Sequence, residues 1–343
     1  MTTNLRTDGS MWSKLMARGA ALLAGAPLAV AQMGADSNLA SQTAAETAIV
    51  ATETIAGFDG GPDDLAGIGV PFTIEGMTWA DQKTFIDAGG RCGTEPPSAD
   101  ELDAVEALQL RTPGRPPGSV PVNVYWHVIR RGTALSDGNI SNKQINQSIA
   151  AMNRAYAGAN GGVPTPFTFV LAGITRTTNN AWFNMQKGSL EEAAAKRRLH
   201  VGTVSDLNVY SCAGGGLLGW SVFPWNAVAH LDQDGVVILY SSVPGGTAVP
   251  YNEGDTLVHE VGHWLGLLHT FENGCAQPGD FVSDTPYEAT PAFGCPVNRD
   301  TCPNIGLDPT SNYMDYVDDP CMNQFTDGQA TRMDAQSLLR ALF

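Results

Sequence analysis

His259, Glu260, His263, Gly266 and His269 stand at spacings that could do chemistry together. Four positions separate His259 from His263, so on a helix of about 3.6 residues per turn both imidazoles leave one face and can share a metal ion. Glu260 puts a carboxylate beside the first histidine, where it can reach a metal-held water as general base without joining the ligand set. Gly266 lacks a Cβ, can adopt a positive φ, and so can turn the chain sharply out of the helix and return His269 as a third ligand. Zinc with three protein ligands keeps a fourth position for water and lowers the pKa of that water from about 15.7 to about 7. The implied chemistry is hydrolysis. A bare HExxH can arise by chance on an amphipathic helix. Here three of only six histidines occupy all three ligand positions, with the Glu and Gly in place, and chance is a poor account of that.

Further along, Ser311-Asn312-Tyr313-Met314-Asp315-Tyr316 resembles the Met-turn of the metzincins, in which a methionine packs beneath the zinc ligands. A methionine by itself is more often core filler; the pairing with the long histidine motif gives Met314 its meaning. Within the metzincins the surroundings resemble the pappalysin family of secreted metalloproteases. The resemblance runs from about Val122 to the C-terminus. It is carried by Gly216-Leu217-Leu218-Gly219-Trp220 with Phe223-Pro224, Thr270-Phe271, Gly279-Asp280, Asp284-Thr285-Pro286, the Met-turn, and Phe325-Thr326-Asp327-Gly328-Gln329 with Arg332-Met333. It implies an α/β (α+β) metzincin fold, with a twisted mixed sheet over the zinc helix and an irregular, disulfide-stapled C-terminal half. It also implies protein or peptide substrates, Tyr316 as a phenol that steadies the oxyanion, and a structural calcium near Asp280, Asp284 and Thr285, where oxygen ligands collect. Two other readings compete: a zinc hydrolase of another metzincin branch, and a catalytically silent peptide-binding protein. An intact Glu260 speaks against the second.

Near the N-terminus, Arg6, Lys14 and Arg18 precede an apolar run from Ala20 to Val30, and Ala29-Val30-Ala31 reads as a cleavage signal. The pattern is that of a secretory leader spanning 1–31, too short and too rich in small residues for a permanent membrane span. Cysteine usage agrees with export. Cys275, Cys295, Cys302 and Cys321 bracket the Met-turn and allow three pairings; the family resemblance implies Cys275 with Cys302 and Cys295 with Cys321. Cys92, in Arg91-Cys92-Gly93-Thr94, could place a thiolate on zinc as a latency switch, or could pair with Cys212 as a plain disulfide. The formal net charge of -16 excludes bulk electrostatic binding of nucleic acid or anionic membranes.

Residues 32–115 read as a pro-region and 116–343 as the catalytic domain. Gln32 to Gly69 is poor in aromatics, a helix is predicted over Ser98 to Leu110, and Arg111-Thr112-Pro113-Gly114-Arg115-Pro116-Pro117-Gly118 is a breaker-rich linker suited to a maturation cut, with Arg111 the better scissile residue. Strands are predicted at Val120–Ile129, Thr168–Ile174, Leu207–Tyr210 and Gly235–Tyr240. Helices are predicted after Ser141, at Leu190–Leu199, and over Asp255–Leu267, where Glu253 and Asp255 sit at the positive end. Trp220, Phe223 and Trp225 are expected to cluster near Gly214 to Gly219, which the resemblance makes the strand that rims the cleft; packing of these aromatics in the upper core is the equal alternative. Asp318 and Asp319 are expected in the wall of the pocket for the residue after the cut, favouring Arg or Lys there. His127 and His200 are expected to be structural.

Overall fold

The computed structural model describes residues 68–341 apart from 109, 304 and 305. The expected leader and most of the aromatic-poor stretch lie outside these residues. Among the described residues no helix is long and apolar enough to cross a membrane.

The described chain opens with a small antiparallel hairpin, β1 (Phe72–Ile74) and β2 (Met77–Trp79), followed by α1 (Gln82–Asp87) and α2 (Ala99–Glu106). Ser98 caps α2 through a capping box with Glu101, so the predicted helix begins where expected but ends before Leu110. Its Leu102 and Val105 pack with Phe223, Trp225, Leu268 and Leu339 in a small core of their own.

The larger core forms around β3 (Val120–Arg130), α3 (Asn142–Tyr156), β4 (Phe167–Thr178), α4 (Asn180–Phe183), α5 (Leu190–Leu199), β5 (Leu207–Cys212), β6 (Gly219–Ser221), α6 (Pro224–Ala227) and β7 (Val236–Leu239). The five-stranded sheet has the order β4-β3-β5-β7-β6; β6 alone runs antiparallel, at one edge. β3 alternates between buried and exposed residues and then becomes buried throughout, as a central strand covered on both faces should. Ile145, Ile149, Met152 and Tyr156 form the buried face of α3, and the Tyr156 hydroxyl donates to the Val258 carbonyl at 3.1 Å. That bond ties α3 to the central helix, α7 (Asp255–Trp264), every residue of which is buried.

α7 begins at Gly254, which has no side chain to cap it. Asp319 does so instead: its Oδ2 accepts from the backbone N–H of Glu253 at 2.8 Å and of Asp255 at 3.4 Å, a carboxylate on the positive end of the helix. The helix stops at Trp264, three residues short of the expected end, because Gly266 takes φ 97°. From there the backbone is irregular until α8 (Asp327–Gln336), and disulfides join Cys275 to Cys302 and Cys295 to Cys321, the pairing the resemblance implied.

One expectation needs correction. Trp220 does not cluster with Phe223 and Trp225: it turns into the main core, where its indole N–H donates to Glu192 Oε1 at 2.6 Å. Phe223 and Trp225 stack on each other in the second core, ring centroids 4.5 Å apart. Trp220 belongs to β6, whereas Phe223 caps and Trp225 lies within α6, so they face different cores.

Candidate active site

The helical spacing and the glycine turn do what the sequence suggested. Nε2 of His263 lies 3.2 Å from Nε2 of His259 and 3.0 Å from Nε2 of His269. Cys92 completes the cluster: its Sγ is 3.6 Å from His263 Nε2, and one donor atom from each of the four residues falls within 4.8 Å of the others. Burial holds His263 down at a pKa of about 4, and burial together with the Arg91 cation and neighbouring imidazoles holds His259 well below the ordinary range. His269 is lowered in the same direction by burial and by His263. Neutral imidazole nitrogens and a sulfur, converging on one point, form a donor set suited to zinc rather than to calcium or magnesium.

The imidazoles are aimed by the backbone. His259 Nδ1 meets the Tyr313 carbonyl at 2.7 Å and His263 Nδ1 meets the Leu267 carbonyl at 2.8 Å, contacts that would fix Nε2 as the metal-facing nitrogen. Met314 packs under the helix, so close that a Cβ at Gly262 would stand 2.4 Å from its sulfur. The Tyr316 hydroxyl is 3.2 Å from His269 Nε2.

Glu260 is wholly buried, and that burial lifts its pKa to about 7. Its Oε2 accepts from the Thr94 hydroxyl at 2.9 Å, while the Thr94 oxygen accepts from the Ser221 N–H at 2.9 Å. β6 passes directly over this carboxylate: a Cβ at Gly219 would lie 2.8 Å from Glu260 Cγ, so only glycine permits the approach. The free edge of β6 is taken up by residues 90–93. Leu218 N–H donates to the Gly90 carbonyl and Gly93 N–H to the Gly219 carbonyl, each at 2.8 Å. Both residue numbers rise together, so this added segment runs parallel to β6.

Cys92 and Cys212 are both free and buried, and the structure makes no disulfide between them. Arg91 is completely buried, with Nη2 3.7 Å from the Met322 sulfur and the guanidinium over the Tyr251 ring. Its Nε and Nη1 find no hydrogen-bond partner, although its charge acts on Asp318, Asp319 and Asp255. Asp318 Oδ1 accepts from Gln82 at 2.5 Å, and Asp319, expected in a pocket wall, serves the N-terminus of α7. Asp280, Asp284 and Thr285 occupy the loop between Cys275 and Cys295. Asp284 is spent on the start of α8, accepting from Thr326 Oγ1 and Gly328 N, whereas Asp280 accepts from the Val282 N–H through Oδ1 at 3.0 Å and is buried beside the Thr285 hydroxyl, which interacts with its carboxylate. His127 is a core histidine between Thr175 Oγ1 and Asn208 Oδ1; His200 lies at the end of α5 with Nε2 unpartnered.

Sequence reasoning missed Thr94, Arg91 and the capping role of Asp319. Thr94 and Arg91 flank Cys92, so the tetrapeptide itself was the available signal; nothing in the sequence linked Asp319 to a helix start 64 residues earlier.

Comparison with known proteins follows the same lines. The sequence profile of the family described as pregnancy-associated plasma protein-A matches residues 219–337. An extracellular metalloprotease of Colletotrichum graminicola is 44% identical over 254 residues, covering 71% of this chain and 88% of that protein. Extracellular metalloprotease 1 of Coccidioides posadasii is 43% identical over 259 residues, 73% of this chain and 90% of that one. Among solved structures, a promirolysin mutant of Tannerella forsythia superposes with a TM-score of 0.62 at 29% identity, over 73% of this chain and 96% of that one. Mirolysin in complex with a compound gives 0.57 at 30% identity, over 66% and 99%.

Proposed function

The chain belongs to the pappalysin-type metallopeptidases, and on that premise we propose that it is a secreted zinc endopeptidase made as a latent precursor. The observation that carries this is the convergence of three neutral imidazoles beside a buried, nearly neutral-pKa Glu260. His259, His263 and His269 would hold the zinc, which when bound supplies Lewis acidity and a nucleophilic water at neutral pH. Glu260 Oε2 would accept a proton from the attacking water and give it to the leaving amine nitrogen. Tyr316 Oη, beside His269, donates to the oxygen of the attacked carbonyl as negative charge develops there. Substrate pairs with β6 as an added strand, on the edge that residues 90–93 now cover.

Latency follows from the same contacts. Cys92 takes the place beside the histidines that a water would need, Thr94 engages the base, and the parallel segment blocks the strand edge. Residues 1–31 act as the secretion leader, 32–115 as the pro-region and 116–343 as the catalytic domain. Support for a cut at Arg111 comes from its exposure, and from the chain just beyond it being anchored to α8. Thr112 Oγ1 donates to Asp334 Oδ2 at 2.6 Å and Arg115 Nε to Asp334 Oδ1 at 2.6 Å. Arg91, held by its charge near Asp318 and Asp319, supports a preference for basic side chains in that region. The buried, adjacent oxygens of Asp280 and Thr285 support a structural calcium, which a chelator-induced drop in melting temperature of the zinc-replete enzyme would reveal.

The test is cleavage of a mixed peptide library by the processed enzyme, by its Glu260→Gln variant and by a chelated sample, with cut sites read by mass spectrometry. Loss of general-base catalysis should lower the rate by about 10² or more. A folded, zinc-loaded, processed sample that cuts nothing would instead favour a peptide-binding protein.

A further inference from the structure

The three histidines are not held alike. Backbone carbonyls meet Nδ1 of His259 and of His263, but among the described residues no such carbonyl meets Nδ1 of His269. Its ring lies flat on Phe271, centroids 4.8 Å apart at 8°, a contact that allows sliding in the plane. Apart from the Tyr316 hydroxyl at its Nε2, the location of His269 therefore depends on how firmly the chain after it is fixed.

That chain is fixed at Thr270. Its N–H donates to the Met314 carbonyl at 3.3 Å, and its hydroxyl donates to Glu288 Oε2 at 2.8 Å. Glu288 is fully buried, and its other oxygen accepts from Arg299 Nη1 at 2.6 Å. The same nitrogen reaches Asp308 Oδ2 at 2.6 Å, and Nη2 donates to Thr290 Oγ1 at 2.8 Å. Arg299 stands between Cys295 and Cys302, each of which is disulfide-bonded to another part of the loop region. A line of contacts thus runs from a covalently braced loop through a guanidinium, a carboxylate and a hydroxyl to the residue next to His269.

We propose that Glu288 is a positioning residue for His269, with Arg299 orienting its carboxylate and the Thr270 hydroxyl passing the constraint to the histidine. The inference rests on the reading of His269 as a metal ligand. A buried carboxylate and guanidinium are a costly way to gain stability, since well-packed apolar residues usually do as well. Their directional hydrogen bonds do something apolar packing does not: they define a position along the chain, and groups that orient metal ligands typically change metal affinity about 10- to 100-fold when removed.

The experiment uses the full-length chain and compares Thr270→Val, Thr270→Ser, Glu288→Gln and His269→Ala. Two quantities are read: zinc affinity, by competition with a chromophoric chelator, and the visible spectrum of the cobalt-substituted protein. Thr270→Val and Glu288→Gln should bind zinc about 10-fold more weakly and shift the cobalt bands, while Thr270→Ser, which keeps the hydroxyl, should resemble the unchanged protein. Equal zinc affinity and identical cobalt spectra for the Val and Ser variants would overturn the proposal, even if Thr270→Val melts earlier. This pair decides the matter should Glu288→Gln fail to fold. If His269→Ala itself leaves both readouts untouched, the ligand assignment has failed, and the positioning proposal falls with it.

Discussion

Val122, Val124, Trp126 and Val128 on the sheet side of α7 are as completely buried as Glu288, Asp315 and Arg340 in the C-terminal half, yet the two regions hold together differently. On the sheet side the backbone satisfies itself through ladder hydrogen bonds, and the buried polar side chains there, such as Glu192 with Lys196 and His127 with Asn208, pair largely with other side chains. Beyond Gly266 the backbone has no ladder. Its polar groups must be met one at a time, and buried carboxylates do this: Asp315 Oδ1 accepts from the N–H groups of Ala292 and Tyr316, and Asp308 Oδ1 accepts from Thr301. Irregular buried backbone requires buried charge, and buried charge needs bracing, which Arg299 and the two disulfides provide.

Reduction of both disulfides should have the largest effect and sharpen this contrast. Closing loops with sequence separations of 27 and 26, each bond contributes about 3 to 4 kcal/mol in the chain-entropy picture. Denaturant unfolding with and without reductant measures the sum. Hydrogen exchange locates it, and amides between 270 and 325 should lose protection before those of β3. Simultaneous loss in both regions would break the comparison. Next in size is Trp126→Ala, which empties a core site and leaves Ser211 Oγ without its indole donor. It should cost about 3 to 5 kcal/mol, by the same amount in oxidised and reduced protein if the halves are independent.

The smallest expected effect is acid sensitivity of the sheet side. Burial depresses the pKa of His127 to about 4 from an ordinary value of 6.5. The native state therefore resists taking up a proton that the unfolded chain accepts. The contribution is fully present above pH 6.5, declines as pH falls, and is lost below about 4, in total on the order of 3 kcal/mol. His127→Gln should flatten this part of the stability profile; an unaltered slope would assign the acid sensitivity to the C-terminal half.

The sequence disclosed these two regions unequally, for the same physical reason. Ile145, Ile149, Met152 and Tyr156, or the alternating start of β3, carry a period that betrays the element. So do His259 and His263, because helical spacing is part of the chemistry. Irregular backbone has no period, and the contacts that define it join residues far apart in the chain. Asp319 at the start of α7, Thr94 on Glu260 and Glu288 on Thr270 are of this kind. Arg91 and Thr94 stood in plain view beside Cys92, but their partners could not be inferred until the chain was folded.

Gly262 and Met314 divide one small volume between them: the hydrogen side chain of the first is the space into which the sulfur of the second projects. Neither position can be varied alone. An alanine at 262 would drive the methionine downward, and with it the Tyr313 carbonyl that aims His259. A shorter residue at 314 would leave a hole beneath the helix. The two sites are therefore linked by size, and any substitution at one that preserves the geometry should have to be matched by a compensating change at the other.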